Sequence, residues 1–323
     1  MTDWNKGLEK KILLKSKFTL TMRILRVILI VFFVYYIYML GITLIADKLH
    51  VGNENKYFSS LALEWTVPNV RGDFDMKEED MTIFGTKNVT YNLMKTIGQE
   101  RFVIGEAQIS KRLLNSFSTI YYSHPGQTQL NEITFSLPED PRTGNKLKGN
   151  ASPNVWETLD MLHEGTVAEL AFSTSEFMES DQLLEALERY DLHVLWMPLY
   201  TGEFTHYEPS NYGSGTDTLW VPGLGLTGGK DHDENYYETF RMSGLGVDNV
   251  AESEQLMLKN MEKLLQKSES YYERFLGLRH LEDQYDYLTE EGFIVYGAVV
   301  TGPVKELLKL QDLAFIQGEQ LGE

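Results

Sequence analysis

The longest apolar segment of the chain, residues 27–46, contains twenty residues without a charged side chain. At about 1.5 Å per residue, a helix of that length covers about 30 Å, the thickness of the hydrocarbon core of a bilayer. A membrane span must pair all of its backbone polar groups, which an isolated segment achieves only as a helix. The pattern therefore predicts a transmembrane helix, which we place at residues 24–46.

A cleaved signal peptide is the alternative explanation for this segment. Its apolar region is about 7–15 residues long and ends with small residues three positions and one position before the cleavage site. Ala46 suits the second of these positions, but Leu44 does not suit the first. The sequence thus favours an uncleaved anchor.

Three tyrosines near the middle of this anchor suit contact with another helix or, equally, with lipid. They are Tyr35, Tyr36 and Tyr38.

Short apolar runs broken by Gly, Asn, Pro and charged residues follow the anchor, a pattern typical of strands joined by turns. They predict strands at residues 57–67, 81–84, 101–106 and 132–137. Residues 47–140 are therefore expected to form a β-rich region beside the membrane. Residues 141–153 concentrate turn formers and charges, which predicts a linker or a long exposed loop.

Residues 154–323 mix the periodicities of strands and helices. Strands are predicted at 166–173, 192–200 and 292–301, and helices at 180–189, 251–278 and 303–310. Ser180 is expected to cap the first of these helices, and Pro303 to lie in the first turn of the last. The predicted fold class is α+β: one transmembrane helix, then a mixed α/β extracytoplasmic region with antiparallel or mixed sheets.

Two further expectations concern the strand at 192–200. Pro198 indicates an edge strand or a bulge, because proline cannot donate a ladder hydrogen bond. If this strand is the parallel neighbour of the strand at 166–173, their connection through the helix at 180–189 is right-handed.

Charge is divided unevenly along the chain. Residues 1–46 carry a net charge of +5 out of a total of −18, so the remainder carries −23. Basic flanks of a span stay in the cytoplasm, which predicts an N-terminus inside and a long extracellular region outside. The acidic balance disfavours nucleic acid as a partner.

The chain contains no cysteine, so disulfides cannot stabilise its outer region. We therefore interpret the setting as a bacterial cell surface.

Two segments resemble motifs that carry chemistry. Residues 223–228 fit the dinucleotide pattern G-x-G-x-x-G, but the polar sequence after them cannot form the required helix, so a loop is predicted. The acidic run at 231–235 is interpreted as a solvated loop rather than a cation site. No nucleophile signature is present. We therefore expect neither a metal, nor a cofactor, nor an enzyme.

Aromatic residues bracket the glycine-rich segment and are the candidates for ligand binding. They are Trp196, Tyr200, Tyr207 and Trp220. Such side chains suit a pocket for a peptide, lipid or sugar. The favoured alternative is that they anchor loops to the core.

Five segments of the chain resemble a known family. They are residues 10–21 leading into the span, 61–72, 165–173, 192–202 and 296–302. In these segments the chain resembles the sigma factor regulators, or membrane-bound anti-sigma factors, of Gram-positive bacteria. The resemblance implies a single-pass regulator that holds an extracytoplasmic-function sigma factor inactive and senses envelope conditions through its outer region. It also implies a folded cytosolic segment, for which residues 1–23 offer little chain.

The basic tail at residues 1–23 can form one amphipathic helix. Its candidates for binding a cytoplasmic partner are Trp4, Leu8, Lys11, Ile12 and Lys15. The alternative is a basic flank that only sets the orientation of the span in the membrane.

The leading hypothesis is a regulator whose partners are a sigma factor or another membrane regulator, together with the lipid bilayer. The second hypothesis is an anchored binding protein for a wall component, lipid or cation, with an inert tail.

Overall fold

The computed structural model describes residues 6–113, 118–123, 133–163 and 165–322. The first helix, α1 (Lys6–Lys48), is continuous over 43 residues. Its apolar part has a mean hydropathy of 2.5 and is not buried within the protein. By length and composition it is a membrane span, as the apolar pattern predicts.

A second helix, α2 (Val51–Thr66), begins only three residues after α1 ends. His50 joins them in the left-handed conformation, with φ of 50°. The strand predicted at 57–67 is therefore wrong. Twelve of the sixteen residues of α2 are buried, so its apolar positions show no single face, and periodicity cannot separate such a buried helix from a buried strand.

The first sheet follows α2 directly and is antiparallel throughout. Its strands are β1 (Val70–Gly72), β2 (Glu78–Met81), β3 (Thr86–Ile97), β4 (Glu100–Arg112) and β5 (Ser118–Ser123). They pair in the order β1-β3-β4-β5, and β2 also pairs with β3. The inner side chains of β3 and β4 pack with Leu63 of α2 in one apolar cluster.

Of the predicted strands in this region, only 101–106 is confirmed, within β4. The segment 81–84 is mostly a turn: β2 ends at Met81, and the chain reverses through Gly85 at φ of 70°. Within 132–137, residue 132 lies outside the described residues. The described residues 133–137 form no named strand, and Ser136 makes an isolated bridge to Trp220.

The remaining elements form a second, larger unit. Its helices are α3 (Val155–Asp160), α4 (Ser180–Leu187), α5 (Val250–Leu265), α6 (Leu281–Glu291) and α7 (Val304–Leu308). Its main strands are β6 (Val167–Glu179), β7 (His193–Tyr200), β10 (Gly225–Thr227), β13 (Ile294–Pro303) and β14 (Ile316–Leu321). Two small hairpins join β8 (Gly213–Ser214) to β9 (Leu219–Trp220) and β11 (Lys230–His232) to β12 (Glu238–Arg241).

The main strands form an antiparallel sheet in the order β10-β7-β13-β6-β14. The predicted strands at 166–173, 192–200 and 292–301 and the helices at 180–189 and 303–310 are confirmed. The strands β6 and β7 are parallel but not neighbours, because β13 lies between them and is antiparallel to both, so the condition for the predicted crossover is not met. Pro198 is not on an edge, since it pairs with Gly225 of the short strand β10. The register between β7 and β13 is irregular between Trp196 and Leu199, which agrees with the predicted bulge.

Two details of the predicted helices differ from the structure. Ser180 does not cap α4; its hydroxyl donates to Glu254 of α5. The long helix expected at 251–278 ends at Leu265, and a π-helical turn, Ser270–Phe275, follows it. Gly277 then takes a φ of 79°, a conformation that breaks a helix.

Helix α2 contributes to both apolar cores. Its residues Tyr57, Phe58 and Trp65 belong to the large core built on the second sheet and its helices. Leu63 faces the first sheet. The segment next to the span is thus packed between the two sheets. The fold class is α+β, as predicted.

Candidate functional site

The first turns of α1 bring most of the predicted partner-binding residues onto one helix face. Leu8, Lys11, Ile12 and Lys15 follow one another at helical spacing and are all exposed. Trp4 lies outside the described residues. The four form a strip with two apolar and two basic side chains, a composition suited to a partner groove or an anionic surface.

The C-terminal end of α1 is held against the first sheet. Lys87 on β3 is buried, and its Nζ lies 3.2 Å from Asp47 and 2.6 Å from Glu79. Ala46 is fully buried. The Tyr38 hydroxyl donates to the carbonyl of Ile83, at 3.0 Å, in the turn between β2 and β3. The end of the span therefore has side-chain contacts to the sheet beyond its peptide link to α2.

A buried ion pair joins α2 to the second unit. Lys230 of β11 lies with its Nζ 2.7 Å from Glu64 Oε1, and both side chains are 1% exposed. The Lys230 ammonium also donates to Ser60 at 2.9 Å. Arg241 of β12 lies 3.9 Å from the same carboxylate oxygen and is paired with Glu238. Two cations from one hairpin thus surround a single carboxylate on α2.

The surroundings keep this cluster ionised. Burial opposes the charge of Glu64, but Lys230, Arg241 and Arg71 together lower the pKa of Glu64 to about 2. Burial lowers the pKa of Lys230 to about 8, and the attraction of Glu64 limits that shift. Both groups are therefore charged at neutral pH. Their pairing sets the position of α2 relative to β11, because an unpaired buried charge is costly.

Arg71 makes a second connection between the two sheets. It lies on β1, and its guanidinium donates to the carbonyls of Met242, at 2.5 Å, and Gly228, at 3.3 Å. It also donates to the Thr227 hydroxyl at the end of β10. The sequence did not predict that the charged side chains of Glu64, Lys230 and Arg71 meet between the two sheets. The available signal was Glu64, a lone carboxylate inside the apolar run 57–67.

The four aromatic candidates do not converge on one pocket. Trp196 and Tyr200 are buried in a core cluster, where the Trp196 indole donates to the carbonyl of Glu64 at 3.1 Å. Trp196 and Trp220 border one pocket of about 390 Å³. Tyr207 borders another of the same volume. Their role in ligand binding stays a prediction.

The pocket beside Tyr207 lies where α2, the 209–224 segment and the 276–284 segment meet. Its apolar wall includes Leu63 and Leu276, and its polar wall includes His280 and Gln284. The His280 ring stacks on Tyr207 with centroids 4.6 Å apart. Gln284 donates to the Tyr207 hydroxyl at 3.1 Å, while its own buried carbonyl oxygen has no hydrogen-bond partner. The pocket is apolar on one side and polar on the other, which suits a ligand with an apolar body and a polar group.

Buried Glu203 lies behind the same pocket. It accepts hydrogen bonds from the backbone N–H and the hydroxyl of Thr201, at 2.7 and 2.8 Å. Burial nevertheless raises the pKa of the Glu203 carboxyl. The Thr201 hydroxyl also lies 3.1 Å from that of Tyr207. The pocket wall is thus held by a chain of polar contacts.

The two remaining motifs have structural roles. The loop predicted at 223–228 is partly wrong, since Gly225–Thr227 forms β10. Glycine is required at 225 because a Cβ there would collide with the Trp196 ring. In the acidic run, Asp231 lies in β11 and pairs with Lys259 at 2.5 Å. Within the described ranges, no group of three or more His, Cys, Asp or Glu side chains could hold a metal ion.

Comparison with known proteins identifies the family. Residues 10–102 match the model described as sigma factor regulator N-terminal, and residues 159–323 match the one described as sigma factor regulator C-terminal. The chain is 23% identical over 280 residues to the Probable anti-sigma-M factor YhdL of Bacillus subtilis (strain 168), covering 85% of this chain and 70% of that protein. No solved structure matches the chain. The C-terminal match alone covers half of the chain, which therefore belongs to the sigma factor regulator family.

Proposed function

We propose that this chain is a single-pass anti-sigma regulator that contacts its sigma factor through the strip Leu8, Lys11, Ile12 and Lys15 at the start of α1. The observation that carries the proposal is the uninterrupted helix from that strip to the buried helix α2. A movement between the two sheets would displace α2, and α1 is joined to α2 by two residues. The strip is therefore mechanically connected to the outer region.

The orientation follows from charge. The basic residues before the span support a cytoplasmic N-terminal strip, where sigma factors act, and an outer location for the region after the span. Within that outer region, the pocket beside Tyr207 is our candidate for sensing a ligand. It borders Leu63 of α2, so an occupant would contact the helix that continues toward the span.

Crosslinking in intact cells tests the cytoplasmic contact. The full-length tagged chain would be crosslinked, solubilised and purified, and its partners identified by mass spectrometry. We expect a sigma factor to co-purify with the wild-type chain and to be lost from the double variant Leu8→Asp, Ile12→Asp, because charge replaces the apolar half of the strip.

Leu13→Asp is the matched control, since Leu13 is similarly exposed, at 53%, but is not three or four residues from any residue of the strip and so lies off its face of α1. Its recovery of the sigma factor should equal that of the wild type. Equal recovery by the double variant would contradict the proposed strip. Recovery of only wall or membrane components by the wild-type chain would favour an anchored binding protein with an inert tail.

A further inference from the structure

The turn between β2 and β3, residues 82–85, exposes two apolar side chains. Phe84 is 79% exposed, the highest value of any large hydrophobic residue in the described part of the chain, and Ile83 is 48% exposed. A phenylalanine side chain that stays exposed to water lacks the stabilisation of about 2–3 kcal/mol that its burial would provide. A turn needs no aromatic residue at its tip, so an apolar neighbour is the natural explanation.

The position of this turn identifies the neighbour. The Tyr38 hydroxyl donates to the Ile83 carbonyl at 3.0 Å. Tyr38 lies within the apolar run 27–46, eight residues before its last residue, Ala46. Eight helical residues correspond to about 12 Å along the helix axis. The turn therefore lies beside the span, at a level inside the apolar segment rather than beyond its end.

Part of the backbone of the turn is hydrogen-bonded within the protein, which lowers the cost of placing it in an apolar medium. The carbonyl of Thr82 accepts from Gly85 N at 3.0 Å, and that of Gly85 accepts from Leu113 N at 3.0 Å. The carbonyl of Thr86 accepts from Thr82 N at 2.9 Å. With the bond from Tyr38, four of the carbonyls at residues 82–86 have donors.

The charges next to the turn lie at the level expected for the membrane surface. Lys87 pairs with Asp47, the first residue after the apolar run, and with Glu79. Lys87 is the second residue of β3, and Phe84 lies in the turn before this strand begins at Thr86. The charged group therefore lies on the strand side of the turn, and Phe84 lies at its apolar tip.

We propose that residues 82–85 enter the membrane leaflet on the C-terminal side of the span, with Phe84 and Ile83 among the acyl chains. The lipid bilayer is the occupant because the turn is hydrogen-bonded to the span itself. The first sheet then has a second membrane contact besides α1, which restricts its tilt and rotation on the surface. This inference rests on α1 crossing the membrane and is independent of sigma-factor binding.

The absence of cysteine from the chain allows a direct test. Full-length Phe84→Cys would be labelled with a polarity-sensitive NBD fluorophore and reconstituted into phosphatidylcholine–phosphatidylglycerol vesicles. Met161→Cys is the matched control, since Met161 is equally exposed, at 78%, and lies in the second unit. We expect nitroxides on lipid acyl chains to quench the label at 84 several-fold more than the label at 161, and aqueous iodide to show the reverse order.

Iodide quenching at 84 as strong as at 161, without acyl-chain quenching, would overturn the proposal. A label at Val31→Cys, in the middle of the span, shows whether such a result concerns the turn alone or the membrane span itself. If acyl-chain nitroxides quench that label but not the one at 84, α1 spans the membrane and only the insertion of the turn is wrong. If they quench neither, the membrane span itself is wrong.

Discussion

At the scale of single residues, the Glu64–Lys230 pair is the most consequential feature between the sheets. Both side chains are 1% exposed, and the pair joins positions 166 residues apart in sequence. A buried ion pair adds little to stability compared with apolar residues of the same shape, yet removal of one partner is strongly destabilising. Its value lies in specifying one arrangement of α2 and β11.

Lys230→Met should destabilise the folded chain by about 3–5 kcal/mol, because it leaves the Glu64 carboxylate buried with less compensation. Urea unfolding of the full-length protein in detergent would measure the change. Lys148→Met is the matched control. Its Nζ lies 3.1 Å from Asp217, but both side chains are largely exposed, so a change within about 0.5 kcal/mol is expected. Equal effects of the two variants would show that burial of the pair is unimportant.

The depressed pKa of Glu64 predicts a pH dependence. Its ordinary pKa is 4.5, and in the folded chain it is about 2. The stabilisation from the folded carboxylate is therefore fully present above about pH 4.5 and is lost as the pH falls toward 2. A shift of this size corresponds to about 3 kcal/mol.

Comparison with Glu64→Gln isolates that contribution. The difference in free energy of unfolding between the wild type and this variant should shrink steadily from pH 5 to pH 2, because only the wild type takes up the additional proton. Parallel pH profiles for the two proteins would mean that Glu64 does not titrate as its surroundings indicate.

At the scale of elements, α2 decides how the span is connected to the rest of the chain. A flexible linker after a span produces a simple tether, but here α2 begins at Val51, directly after the left-handed residue His50. The helix is buried by both sheets, and Lys87 holds Asp47 at the end of α1. The junction between α1 and α2 is therefore the covalent connection between the span and the outer region, beside the contacts of Asp47 and Tyr38 to the first sheet.

Insertion of two glycines between Leu49 and His50 should uncouple the outer region from the cytoplasmic strip while leaving the fold intact. In this variant, transcription from a promoter that depends on the co-purified sigma factor would no longer respond to envelope stress. The control inserts the same glycines after Gly144, in an exposed turn where no atom lies within 4 Å of the Cβ position. That variant should respond like the wild type. A normal response from the junction variant would favour a tether.

At the scale of the whole molecule, the span separates a small basic segment from a large acidic region. The net charges of +5 and −23 make the two sides electrostatically distinct. The basic residues before the span predict that its N-terminal side faces the cytoplasm. The proposed function requires both the N-terminal strip and the outer region.

Exchange of the anchor tests this requirement. Replacement of residues 1–46 by a heterologous single-span anchor should abolish control of the sigma-dependent promoter, because the strip is removed. Replacement of residues 27–46 alone, in helical phase with α2, should retain most of it. A chain that still regulates after the larger replacement would mean that the outer region performs the whole function.

The sequence alone determined those features of this protein that depend on neighbouring residues. Twenty consecutive apolar residues are sufficient for a span, and the runs that became β6, β7 and β13 show the composition of buried strands wherever they occur. The family likeness followed from the same local segments. These features depend on short-range periodicity and composition, which are visible without knowledge of the fold.

Only the tertiary structure decided the features that depend on distant partners. It showed that residues 51–66 form a helix packed between two sheets, that Lys230 neutralises Glu64, and that Ile83 contacts Tyr38 of the span. A carboxylate within an apolar run is ambiguous until its cation is placed beside it. The same holds for an exposed phenylalanine, whose meaning depends on its position relative to the membrane.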